Sequence, residues 1–185
     1  TAGSSNMISG SAATVVGGGS GNKVGDSTEA GSTSMRVYGK GNANYSVIAG
    51  GFENQLVGPS SNINFLGGGS QNVIAANTDY ATLVGGRQNT IISSSMYAAL
   101  GGGRKNHIFK DNDYAVIAGG YLNKIASGSE YSFIAGGQSN LIDGKTNSFI
   151  LGSNITAAAN DTTYVQNLDV GGTYTNDTQP AFLVR

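Results

Sequence analysis

Few side chains in this sequence are of the kinds that carry out chemistry. His107 is the single histidine, and there is no cysteine to bind a metal or form a disulfide. Asp111 and Asp113 are close enough in sequence to suggest the carboxylate pair of a glycoside hydrolase. They fall in a polar turn, where solvated acids are common, and His107 is expected to face away from the apolar core. We therefore expect no catalysis, no bound metal and no cofactor.

Arginine and tyrosine side chains follow a recurring Gly-Gly pair and are better suited to recognition. Arg87, Arg104 and Tyr121 stand at this position in three consecutive copies. They suit anionic or ring-bearing glycans through charge and stacking, and stacked copies would bring them within about 15 Å of one another. They form the candidate ligand-binding surface, and the polar segment Gly25 to Ser34 is a second candidate. The alternative is a solvated corner, or a tolerated loop, that binds nothing.

A 17-residue repeat positions these side chains. The string Gly-Gly-x-x-Asn recurs along the chain, and a constant spacing of 17 relates the asparagines Asn72, Asn89, Asn106, Asn123 and Asn140. The same period is kept by the tyrosines Tyr80, Tyr97, Tyr114 and Tyr131. Two unrelated columns with one period indicate an array of stacked units. We expect the asparagines to be structural, either capping a turn with the side chain or adopting the left-handed conformation.

Each unit contains two short apolar runs separated by the Gly-Gly pair. In the copy from Tyr114 to Glu130 these runs are Tyr114–Ala118 and Asn123–Ala126, which are of strand length and bounded by Gly, Ser or Asn. One such unit cannot bury its apolar face alone, but stacked units can. The pattern predicts an all-β fold, a parallel β-solenoid or β-roll of stacked rungs of about 17 residues.

Equivalent positions in stacked rungs become ladders. Two aliphatic ladders are predicted to form the core: Ile48, Leu66, Leu83, Leu100, Ile117 and Ile134, and Leu56, Ile74, Ile91, Ile108, Ile125 and Ile142. The residues beside the first ladder are also small or apolar, as in Val116, Ala118, Phe133 and Ala135, and they face the other side of the strand. A strand that is apolar on both faces is typically buried on both. We therefore expect partner copies, most simply in a homotrimer.

The composition disfavours several other classes of protein. Charged residues make up 11% of the 185 residues, and the ten basic ones are scattered, so no footprint for nucleic acid or an anionic membrane is present. No apolar stretch is long enough for a transmembrane helix. The Gly-Gly pairs lack the Lys-Ser/Thr of a phosphate-binding loop. Neutral asparagine replaces the aspartate of calcium-binding repeats.

The repeat ends near residue 155. Residues 1–155 are predicted to form the repetitive β-roll shaft or head, and residues 156–185 a non-repetitive connector with a weak strand signal near Val165. The last residues form an apolar run without a cap, so we expect a further domain to follow.

The strings SVIAGG, YAVIAGG and YSFIAGG, each followed by a turn and a second short strand, resemble the head repeats of trimeric autotransporter adhesins. The present unit is longer than the usual repeat of that family and carries a Gly pair. The strings TTYVQNLDVGG and TQPAFLVR are similar to junctions in bacteriophage tail fibres. Together these resemblances imply left-handed β-rolls assembled as a trimeric fibre shaft.

Two functions follow as expectations. The first is a structural and attachment segment of a phage or virion-like tail fibre, which positions or contributes to host-receptor binding. The second is the head of a bacterial surface adhesin that binds host matrix or glycans. Both imply a virion or extracellular location and a cell-surface glycan or protein receptor. An ice-binding solenoid is disfavoured, because its threonine column is broken at Ala99.

Overall fold

The computed structural model describes residues 7–8, 15–17, 20, 23–25, 36–37, 46–57 and 62–167. In this part of the chain the secondary structure consists of short β-strands joined by turns, and all pairings between strands are parallel. The predicted parallel β-solenoid of 17-residue rungs is confirmed. Most of the candidate segment Gly25 to Ser34 lies outside the described residues, as does the chain after residue 167.

The strands form two nine-stranded sheets, one on each side of the rung. The asparagine-side sheet contains β1 (Met7–Ile8), β3 (Lys23–Gly25), β4 (Arg36–Val37), β6 (Gln55–Leu56), β8 (Val73–Ile74), β10 (Thr90–Ile91), β12 (His107–Ile108), β14 (Lys124–Ile125) and β16 (Leu141–Ile142). The tyrosine-side sheet contains β2 (Val15–Val16), β5 (Val47–Ile48), β7 (Phe65–Leu66), β9 (Thr82–Leu83), β11 (Ala99–Leu100), β13 (Val116–Ile117), β15 (Phe133–Ile134), β17 (Phe149–Leu151) and β18 (Thr163–Val165).

The sheets are held by hydrogen bonds between neighbouring rungs. The amide of Ala99, for example, donates to the carbonyl of Ala115 in the next rung at 2.9 Å. The register places like positions opposite each other, so Leu100 faces Leu83 on one side and Ile117 on the other. Each strand has few residues, and pairing with a strand above and a strand below compensates for this short length.

The core consists of the two predicted aliphatic ladders. Every one of these side chains, from Ile48 to Ile142, is at most 1% exposed. Ala81, Ala98 and Ala115 are also buried, one position before the strands of the tyrosine-side sheet. Alternation along each strand accounts for the arrangement, because neighbouring residues point to opposite faces.

The strands are shorter than the apolar runs that predicted them. Tyr114 was placed in the first run, yet its φ is +57°, as are those of Tyr97 and the equivalent tyrosines to within a few degrees. The amide of Tyr114 donates backwards to the carbonyl of Met96 at 3.0 Å, whereas strand amides donate forwards. The tyrosine is therefore a corner residue, and the strand begins after it.

The tyrosine-side sheet continues past residue 155, into the segment predicted as a connector. Strand β18 pairs in register with β17, and Thr156 pairs with Leu141 of the other sheet. Ala157 is 4% exposed, and the Tyr164 ring packs against the core while its hydroxyl accepts hydrogen bonds from the amides of Ala158 and Ala159. These residues close the described end of the hydrophobic core.

Candidate functional site

The candidate ligand-binding residues form one straight ladder at the corner between the two sheets. Arg87 pairs with Arg104, and Arg104 with Tyr121, as single-residue parallel bridges. All three side chains are exposed, and the Arg104 guanidinium carbon lies 5.7 Å from the centre of the Tyr121 ring. The same ladder continues to Phe52 and Ser70 before them and to Gln138 after them. The structure thus brings the three predicted residues together on an accessible corner that presents positive charge and aromatic surface.

The asparagine ladder, from Asn72 to Asn140, lies inside this corner and is buried. Asn123 Nδ2 donates to the carbonyls of Gly119 and of Gly137, the latter in the next rung, both at 3.0 Å. Its Oδ1 accepts the amide of Asn140 at 3.0 Å. The other members of the ladder repeat the pattern, so each asparagine satisfies backbone groups of its own turn and of the turn above. This is the capping role, the first of the two expected for this column.

The left-handed conformation, the other role considered for asparagine, belongs to the residue before it. Residues at this position have φ between 54° and 58°: Gln71, Gln88, Lys105, Leu122 and Ser139. The second glycine of each pair is also left-handed, as at Gly103 with φ +81°. A Cβ on Gly103 would collide with the carbonyl oxygen of Gly120, which explains the invariance of glycine there along the rod.

The outward side of the tyrosine-side sheet, here called the outer face, is largely apolar. Its first column is formed by Val47, Phe65, Thr82, Ala99, Val116, Phe133 and Phe149. Phe65 is 40% exposed, and the rings of Phe133 and Phe149 stack with their centres 4.8 Å apart. In the second column Val84 is 53% and Leu151 51% exposed. No residue that the structure describes covers this face.

A stack of tyrosine rings runs along one margin of the outer face. The ring centres of Tyr80, Tyr97, Tyr114 and Tyr131 are 4.9, 4.9 and 5.1 Å apart, and adjacent planes differ by 4° to 7°. Each tyrosine is between 44% and 57% exposed. The period of these tyrosines is visible in the sequence, but the left-handed backbone that turns their rings outward is not, because tyrosine is more typical of strands.

The two carboxylates considered for catalysis lie beside this tyrosine stack. They help to line a cavity of about 410 Å³ together with Asn77, Ser94, Met96 and Glu130. Asp113 Oδ1 accepts the amide of Met96 at 2.8 Å, and exposed Asp111 lies 3.7 Å from Lys110 Nζ. Asp113 therefore has a capping role in the backbone. Within the described part of the chain, no group of three or more His, Cys, Asp or Glu residues is placed to hold a metal ion.

His107 lies on the outward side of the asparagine-side sheet, as expected, with its ring 5.9 Å from that of Phe109. Burial lowers the pKa of His107, and the neighbouring ammonium group of Lys124 lowers it further. The imidazole is thus kept neutral near pH 7 and is half-buried.

Comparison with protein-family models finds no match, and comparison with curated proteins finds no similar sequence. Among the residues that the structure describes, no helix is long and apolar enough to cross a membrane.

Proposed function

We propose that this chain is a structural and attachment segment of a homotrimeric fibre, of the kind found on virions or cell surfaces. The observation that carries this proposal is the outer face, which the described residues leave uncovered. Phe65, Val84 and Leu151 expose between 40% and 53% of their surface on it, although the same rungs bury their inward residues almost completely. Exposed apolar surface of this extent typically marks an interaction site.

The opposite sheet provides an internal comparison. Its corresponding outward column is mostly polar and consists of Gln55, Val73, Thr90, His107, Lys124 and Leu141. Both columns belong to the same repeat and have the same backbone pairing, so strand geometry does not account for the difference. Contact with further copies would account for the difference, because removing aromatic and aliphatic side chains from water stabilises the assembly.

Sedimentation equilibrium at micromolar concentration tests the proposal. The wild-type chain should behave as a trimer, and Val116→Glu should dissociate it, because an unpaired charge buried at the interface costs several kcal/mol. Lys124→Glu, on the opposite sheet, is the matched control and should remain trimeric. A wild-type monomer would exclude the proposed trimer.

A second candidate function is glycan recognition by a surface adhesin, and the corner ladder favours it. Arg104 lies against the Tyr121 ring with its guanidinium accessible, so an anionic sugar could pair with the charge and stack on the ring. A glycan array probed with the chain tests this function. Binding that disappears in the triple variant Arg87→Ala, Arg104→Ala, Tyr121→Ala would support recognition at the corner. A silent array would leave the chain a shaft that positions a receptor-binding part elsewhere.

A further inference from the structure

The margin of the outer face opposite the tyrosine stack is a column of glycines. The first glycine of each Gly-Gly pair forms it: Gly50, Gly68, Gly85, Gly102, Gly119 and Gly136. At Gly119 the backbone is open to any L-residue, and an added Cβ would meet no atom within 4 Å. At Gly85 the backbone is equally open, and the nearest atoms are 3.9 Å away. The chain itself therefore does not require glycine at these two positions.

The second glycine of each pair shows the contrast. Gly103 and Gly120 have left-handed backbones, and a Cβ on either would collide with a carbonyl oxygen of the next rung. Folding of the chain thus explains the second glycine of each pair, and through φ values of +151° to +159° it also explains Gly50, Gly68, Gly102 and Gly136, but it does not explain Gly85 or Gly119. A close approach by another molecule would explain glycine at the first position, because only glycine lets a flat group lie directly on the backbone.

We infer that, in the proposed trimer, the tyrosine stack of one copy lies on the glycine column of the next copy. The tyrosine rings are exposed along one margin of the outer face, and the glycines lie along the other. A contact between two different margins can be repeated from copy to copy, and a three-fold rotation about the fibre axis closes it into a ring of parallel chains. Tyr114 and Gly119 belong to the same rung, so a rotation about the fibre axis brings them to the same height.

The charges that flank the two margins are complementary. Asp79, Asp113 and Glu130 each immediately precede a tyrosine of the stack, whereas Arg87 and Arg104 follow the glycine pairs. A ring of parallel chains brings acidic residues of one copy beside basic residues of the next. An antiparallel two-fold pair would instead place tyrosine margin against tyrosine margin, and acidic column against acidic column, which is unfavourable.

The area of the outer face sets the size of such a contact. Nine strands spaced by about 4.8 Å, each presenting about five residues, give a face of roughly 40 by 15 Å. Each copy divides its face of about 600 Å² between two neighbours, so a ring of three buries about 1,800 Å² in all and about 600 Å² in each contact. One contact alone is below the size of a stable specific pair, and stability would come from closing all three. The contact also places the Arg87–Arg104–Tyr121 corner at its rim, where acidic residues of the neighbour compete with an anionic glycan for the arginines.

Cysteine cross-linking in the full chain tests this contact, which rests on the proposed trimer. The chain has no native cysteine, so the introduced thiols are the only ones. The double variant Tyr114→Cys, Gly119→Cys is treated with a short bis-maleimide, because a tyrosine ring between two backbones separates them beyond comfortable disulfide reach. On a denaturing gel it should shift from the monomer to a covalent trimer, while each single variant stays monomeric. The pair Tyr80→Cys, Gly85→Cys repeats the test in an independent rung, two rungs away along the stack.

A control and a separate measurement distinguish failure of the contact from failure of the trimer. Tyr114→Cys, Lys124→Cys, which combines the stack with the opposite sheet, should give no cross-linked band. If sedimentation shows a trimer but neither double variant cross-links, the inferred contact is wrong and the trimer stands. A dimer band from Tyr114→Cys alone would establish an antiparallel pair instead. A wild-type monomer by sedimentation overturns both the contact and the proposed function.

Discussion

Replacing Asn123 by alanine measures how much the buried asparagine ladder contributes to stability. From sequence alone, the change removes one turn hydrogen bond and should cost about 1 kcal/mol. The structure shows a larger loss. The side chain donates to two glycine carbonyls, accepts the amide and the side-chain Nδ2 of Asn140, and is fully buried.

The magnitude follows from what remains after the side chain is removed. The amide of Asn140 becomes a buried donor without its partner, at a cost of about 1–3 kcal/mol. The carbonyl of Gly137 still accepts the amide of Tyr121, whereas that of Gly119 loses its side-chain donor. We therefore expect Asn123→Ala to lower the free energy of unfolding by about 3 kcal/mol, through one unsatisfied donor and the lost bonds to carbonyls.

Denaturant unfolding at one fixed protein concentration provides the assay, because assembly makes stability depend on concentration. Lys124→Ala, at the exposed residue that follows Asn123 and begins β14, is the matched control and should change stability by no more than about 0.5 kcal/mol. The stability of Asn123→Asp, measured as a function of pH, provides a second test. The introduced carboxyl is buried and faces two carbonyl oxygens, so its folded-state pKa should rise, and the variant should lose stability as pH rises above the unfolded value of about 4. An Asn123→Ala variant as stable as Lys124→Ala would refute the capping role.

Two further predictions concern the glycine pair and the histidine. In the Val116→Glu background, which should remove the proposed assembly, Gly103→Ala should cost at least about 2 kcal/mol because of its left-handed backbone and its collision with the next rung. Gly119→Ala should be neutral or slightly stabilising there, and equal losses from both would contradict the distinction. Because burial and Lys124 lower the folded-state pKa of His107, stability should fall as pH decreases below the unfolded value of about 6.5. His107→Gln should remove that part of the decrease, and parallel curves for the two proteins between pH 7 and 5 would count against it.

The fold was largely predictable because two independent signals agree in it. Aliphatic residues at a period of 17 and alternation within each short run place Leu100 and Ile108 in the core, and both are fully buried. Strand β18 was not predicted as part of the sheet, since the spacing between rungs shortens after Ile134 and the Gly-Gly-x-x-Asn string is lost. β18 is held in the sheet by its pairing with β17, and the period of the repeat does not reveal that pairing.

The surfaces were predictable only in part. The corner ladder followed from the repeat, because any fixed position in stacked rungs forms a column. The left-handed residue before each asparagine did not, since Gln88, Lys105 and Leu122 share no chemical type. The outward stacking of the tyrosines was not predictable either. A tyrosine before an apolar pair is typical of a strand, whereas the corner conformation depends on backbone hydrogen bonds to the previous rung.

The residues of a rung fall into two groups, those needed for folding of the chain and those on its outward surface. Inward aliphatic residues, the buried asparagine and the second glycine are each explained by contacts within the chain, as Ile117, Asn123 and Gly120 illustrate. The outward residues are under no such constraint, because a solenoid with polar outward side chains would fold equally well. Tyrosine nevertheless recurs on one margin from rung to rung, and Gly85 and Gly119 on the other margin are not required by backbone or packing, which points to a requirement outside the chain, in keeping with the proposed trimer. A partner with the same rung spacing satisfies it at every rung, and another copy of this chain has that spacing by construction.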